Sequence, residues 1–224
     1  NSIYGMYNRT ENYQSDCSYI SQIKAFKDNV SIKSCLSYTF SVSNSQGTSL
    51  IKDRPFTAEM TRSIMLLKEK PYRPRMADYR IGVFFTGREQ LGEGAKTTAP
   101  VYYANRWDIQ PSDTAAYLRG EKVKPTKQIV FYIDNTFPEK WKPYLREGVT
   151  QWNELFEQIG FKDVVAAKDF PTDDPEFDPD NIKYSCVRYA PSSIENAMGP
   201  SWVDPRSGEI LNASVYLYHN VIKL

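Results

Sequence analysis

The sequence predicts an α+β chain: a β-rich N-terminal domain, then an α/β unit on a mixed sheet with one antiparallel edge strand. Three observations predict it. Val30, Ile32, Leu36, Tyr38, Phe40 and Val42 alternate with Ser31, Lys33, Ser37, Thr39 and Ser41, the period of two that marks a strand with one buried face. Ile129 to Ile133 is a continuous apolar run, as expected for a strand covered on both faces. Leu145, Val149, Trp152, Phe156 and Ile159 recur at steps of three and four, which lays them along one stripe of a helix.

In the first half, Asp28-Asn29 before the alternating strand and Asn44 to Gly47 after it supply turn chemistry. Thr57 to Lys70 has mixed periodicity and reads as a short helix or an irregular strand. Two further strands are expected at Tyr79 to Thr86 and Val101 to Trp107. The Gly87 to Lys96 link between them, with three glycines, reads as a mobile loop. Residues 108–127 shift in composition towards Pro, Ser, Gly and Lys, so a domain boundary is placed near 125, giving domains 1–125 and 126–224.

In the second half, Thr136 to Glu139 has the spacing of a capping box. Pro143 inside a helix would cost about 3 kcal/mol. The spacing therefore predicts a short turn at 138–142 and a main helix with Pro143 in its first turn. Gly160 ends that helix and lets Phe161 fold back on it. Strands are expected next at about 162–167 and 183–189, separated by the acidic loop Pro171 to Asp180. Ala197 to Val203 reads as one strand, Asp204 to Gly208 as a turn, and Glu209 to His219 as the returning strand. Pro200 removes a ladder donor and so places its strand at a sheet edge or a bulge.

Composition excludes several classes. Lys plus Arg number 28 against 27 Asp plus Glu, a net charge of +1 with no basic stripe, so nucleic acid is not an expected partner. No run of about 18 apolar residues could span a membrane. The start, Asn1 to Tyr4, shows no signal peptide and no initiator Met, which fits a mature form or an excised piece. Cys17, Cys35 and Cys186 make no disulfide framework. Cys17 and Cys35 have hairpin spacing, but the leading reading is free, mostly buried thiols.

Several phrases of the chain resemble a family of large bacterial zinc-dependent metalloproteases of the metzincin kind. They are Ile129–Asp134 (IVFYID), Glu147–Asn153 (EGVTQWN), Phe156–Phe161 (FEQIGF) and Gly199–Leu211 (GPSWVDPRSGEIL). Upstream, Arg73–Phe84 (RPRMADYRIGVF) and Asn105–Trp107 (NRW) resemble the β-rich region that precedes the protease domain. The resemblance runs from about Ser63 to Leu224. It implies the strand–helix–strand–strand–hairpin upper half of a metzincin-like peptidase domain, and an exported protein at the periplasm or cell surface. It also implies an H-E-x-x-H helix, a zinc-activated water and a Glu general base. None of these is present. The only histidine is His219, and a catalytic zinc needs about three protein ligands. No catalytic or metal-binding residue is therefore assigned; zinc is expected in the full-length protein and no cofactor in this chain, which should be inactive alone.

One role does carry over. The antiparallel edge strand of metzincins pairs with an extended substrate backbone, and the matching positions are Ala197, Met198, Gly199, Pro200 and Ser201. The plainer reading of Gly199-Pro200 is a blunted edge that resists aggregation. Asp173, Asp174, Glu176, Asp178 and Asp180 lack the pattern of a calcium loop and read as solvated. Glu154 and Glu157 flank the apolar stripe and face solvent. The expected function is the non-catalytic front of a zinc metallopeptidase acting on peptides or proteins. The alternative is an exported β-rich module that binds peptide or glycan without metal. If a further helix normally covers the returning strand, its apolar face should promote self-association.

Overall fold

The computed structural model describes residues 2–3, 7–92 and 97–223. Gly94 and Lys96 of the loop expected to be mobile lie outside them. The fold is α+β and β-rich, and the chain divides into two compact units, Asn1–Leu66 and Leu67–Leu224.

The first unit is an antiparallel meander of β1 (Ser2–Ile3), β2 (Tyr7–Ala25), β3 (Asn29–Asn44) and β4 (Ser49–Met65), paired in that order. The alternation read from the sequence is β3. Because residues directly opposite share a face, Tyr13, Tyr38 and Phe56 line up on the apolar side, with ring centroids 5.5 and 5.3 Å apart. Gln14, Ser37 and Thr57 line up on the polar side. The mixed pattern from Thr57 is strand as far as Met65, where cross-strand pairing with β3 overrides local preference. Asn44 closes the β3–β4 turn, its Oδ1 accepting the amides of Gln46 and Thr48 at 3.0 and 2.8 Å. Cys17 is exposed, against the buried-thiol expectation, because β2 loses register between Gln14 and Tyr19. All three thiols are free.

The second unit opens with the hairpin β5 (Phe85–Gln90) and β6 (Ala99–Ala104). The strand expected from Tyr79 begins at Phe85 instead. Arg80 donates from its side chain and its amide to Asp78, and the Ile81 amide bonds the Asp78 carbonyl at 3.0 Å, so this stretch is a turn. The expected junction near residue 125 falls inside this unit. Residues 108–127, read as a connection, contain a short helix, α1 (Thr114–Leu118), whose N-cap Asp113 accepts the Ala116 amide at 2.9 Å. Bridges from Arg106 to Glu209 and from Val123 to Phe161 tie the region around that helix to the C-terminal half of the chain.

The mixed sheet contains β7 (Ile129–Ile133), β8 (Val165–Asp169), β9 (Ser185–Ala190), β10 (Ala197–Met198), β11 (Ser201–Asp204) and β12 (Glu209–Tyr218). Its order is β8-β7-β9-β12-β10, with β11 also on β12. β8, β7, β9 and β12 are parallel; β10 and β11 run antiparallel to β12. The strand expected from Ala197 to Val203 is thus broken at Gly199-Pro200, with a bulge at Trp202/Val203.

A 3-10 turn at Glu139–Trp141 leads into α2 (Lys142–Thr150), with Pro143 in its first turn as the spacing predicts. The single helix expected to Ile159 is two, because α2 stops and α3 (Asn153–Gln158) restarts. Thr150 Oγ1 donates back to the carbonyls of Arg146 and Glu147, a bond that bends helices, and Gly148 weakens the same turn. The break turns Trp152 to solvent rather than into the core. Gly160 ends α3 with φ of +87°, and the Phe161 amide bonds the Phe156 carbonyl at 3.0 Å. α2 packs over β7 and β8, burying Ile133 and Val187 beside Phe137 on one side and Ile129, Val164 and Phe161 on the other.

Candidate functional site: an open sheet edge beside an apolar groove

The two edges of the mixed sheet are finished differently. At β8, Asn153 reaches across from α3 and satisfies both backbone groups of Val165, at 2.8 Å each. At the opposite edge, residues 197–201 are all exposed.

Which backbone groups face outward is set by the ladder. The Tyr218 amide bonds the Asn196 carbonyl at 3.4 Å, and the Ser214 amide bonds the Pro200 carbonyl at 3.0 Å. Ala197 pairs with Leu217, Met198 with Tyr216, Ser201 with Ala213 and Trp202 with Asn212. In an antiparallel ladder the N–H and C=O of one residue point the same way and successive residues alternate. Asn196, Met198, Pro200 and Trp202 therefore point into the sheet, and Ala197, Gly199 and Ser201 point out of it. Pro200 spends its missing N–H on the inner side, so it does not blunt the open edge. Among the described residues no group bonds the backbone of Gly199 or Ser201 on that side.

All five residues singled out in the sequence lie on this edge, but they divide by role. Ala197, Gly199 and Ser201 offer outward backbone groups. Met198 and Pro200 hold the strand to β12, and the Tyr218 hydroxyl donates to Met198 Sδ at 3.5 Å. Nothing in the free fold demands glycine at 199. Its φ is outside the left-handed region, and an added Cβ would meet only Val215 Cγ2, at 4.0 Å. Glycine in a strand without a conformational need marks a place where another backbone can approach.

Side chains at 197, 199 and 201 share a face with Leu217, Val215 and Ala213. α2 covers that face over β7 and β8, and its Leu145 and Val149 pack against the cluster that contains Val187 of β9. Beside it runs an apolar groove of about 290 Å³, floored by Phe131, Val187, Val215 and Leu217 and walled by Leu145 and Trp152.

The hairpin carrying this edge is anchored by a buried polar cluster. Asp204, Ser207 and Glu209 are 1%, 0% and 3% exposed. The Arg206 guanidinium bonds Asp204 at 2.7 Å and the Lys68 carbonyl at 2.6 Å, and Lys68 Nζ meets Glu209 Oε1 at 2.5 Å. The Arg206 side chain holds the Asp204 carboxyl below the usual carboxylate range, with burial acting the other way. The Arg106 amide and carbonyl bracket the turn, bonding the Gly208 carbonyl and the Ile210 amide, and its guanidinium bonds the Tyr72 hydroxyl.

His219 directly follows β12. Its Nδ1 bonds the Tyr189 hydroxyl at 2.5 Å, and its ring stacks on Trp141. Asp174 and Asp178 of the acidic loop cap the amides of Glu176 and Asp180 at 2.9 and 2.8 Å. Among the described residues no three His, Cys, Asp or Glu side chains are placed to hold a metal ion. The sequence reading missed Asn153 and Asn196 as edge residues; an Asn that caps a neighbouring backbone carries no periodic signal.

Residues 3–112 match the family model described as a domain of unknown function (DUF5117), a stretch that runs from the first unit into the second. No curated protein and no solved structure matches the chain.

Proposed function

We propose that the chain supplies scaffold and the substrate-side edge strand to a zinc-dependent peptidase of the metzincin kind, which hydrolyses peptide bonds. The observation that carries this reading is the open edge: among the described residues the outward backbone groups of Gly199 and Ser201 have no partner, while at the other edge Asn153 caps Val165. An extended peptide adds to such an edge through main-chain bonds. The apolar groove beside α2, lined by Val215 and Leu217 of β12, supports the same reading, since it lies next to the strand that a bound peptide would join. The zinc donor set does not fit this chain: it has one histidine, already engaged by Tyr189. No residue here is therefore given a step of hydrolysis or a place in the metal's ligand set.

The test uses the natural full-length protein. Peptide hydrolysis that a chelator abolishes and zinc restores supports the proposal, as does binding without hydrolysis by this chain. Hydrolysis that persists without metal overturns it. Peptide or glycan binding by the full-length protein with no hydrolysis favours the alternative, an exported β-rich binding module.

A further inference from the structure

The open edge is not open along its whole length. Asn196 Oδ1 accepts the Ala197 amide at 2.8 Å, and the ladder places that amide among the outward groups a docked strand would use. Both residues are exposed, and among the described residues this contact alone withholds the amide. We infer that Asn196 sets the register and reach of any strand added at this edge, by occupying the Ala197 amide and leaving Gly199 and Ser201 as the ladder positions. The inference rests on the proposed peptide pairing, and it makes Asn196 a positioning residue.

The physical consequence is a difference between short and long ligands. A short extended peptide that pairs with Gly199 and Ser201 never meets the Ala197 amide. A longer one must displace Asn196 to gain one more main-chain bond, and it forfeits part of that bond's worth. The side chain thus acts as a stop at the N-terminal end of the strand, in the way natural edges are capped against unwanted pairing.

Two capped peptides of alternating valine and threonine test this, a short one and one long enough to pass Ala197. Asn196→Ala should tighten the long peptide about three- to tenfold, the worth of one main-chain hydrogen bond, and leave the short one unchanged. Asn196→Asp, which keeps the acceptor, should behave as the parent. In the unliganded chain, the Ala197 amide should exchange with deuterium faster in Asn196→Ala than in the parent, reaching the rate of Gly199. Binding of both peptides with neither or both changed by Asn196→Ala overturns the inference and leaves the pairing intact. If neither peptide binds, the pairing reading falls, and Asn196 as a register stop falls with it. Unchanged Ala197 exchange overturns the inference whatever the peptides do.

Discussion

Asn153 holds Val165 from both sides, its Nδ2 donating to the Val165 carbonyl and its Oδ1 accepting the Val165 amide, each at 2.8 Å. One amide side chain thus imitates a neighbouring strand at Val165. Asn153→Ala leaves both groups of a 7%-exposed residue without partners. It should lower stability by about 1–3 kcal/mol, read as a lower urea midpoint at unchanged slope.

Gly208 sits at φ of +76°, and a Cβ there would lie 2.5 Å from the Ala104 carbonyl oxygen. Gly208→Ala combines a left-handed backbone with a backbone clash, and should cost about 1–3 kcal/mol from the conformation alone. Gly47 has φ of +83° but open space around its Cβ position. Gly47→Ala should therefore cost clearly less in parallel thermal melts.

Asp204 predicts a pH dependence. Its carboxyl is held low in the fold by Arg206, so the stabilisation is complete above the unfolded value of about 4 and is lost as pH falls through the lower folded value. The urea midpoint should drop in that acid range. Asp204→Asn should be less stable near neutrality and flatter below about pH 4.

The three thiols should differ in reactivity. Cys17 is exposed and Cys35 partly so, while burial pushes the Cys186 thiol up to about 12. Since the thiolate is the reactive form, a maleimide should label Cys17 first in the native chain and Cys186 only after unfolding. Peptide mapping by mass spectrometry reads the order.

The groove should make the chain self-associate. Trp152 and Tyr144 at its rim are 58% and 74% exposed beside Val215 and Leu217, and contiguous apolar surface of this kind promotes association. Light scattering should show mass rising with concentration, and Trp152→Ser should reduce the rise. A clean monomer at high concentration would contradict this.

Much of the second unit was legible because its signals are local. The apolar run at 129–133 needed two covered faces, and it is a central strand between β8 and β9. Pro143 and Gly160 act within one turn of where they stand, and they bound the helical segment as read. The period of two from Val30 to Val42 marked a strand, and β3 is one, but its buried residues are Asn29, Ser31, Ser34 and Leu36, so the expected single buried apolar face is not what the fold has. The misreadings have non-local or competing causes. The Asp78–Arg80 turn displaces the expected strand to Phe85, and the Thr150 back-bond splits the helix.

By itself, then, the sequence determined the element types wherever backbone conformation and side-chain period agree within a few residues. It also shows a single histidine and no H-E-x-x-H. Only the tertiary structure decided that residues 108–125 pack with the later sheet, and that Gly199 and Ser201, rather than Met198 and Pro200, turn their backbone groups outward. Those facts depend on ladder register and on contacts between residues distant in sequence, and neither leaves a trace in the spacing of side chains along a single strand.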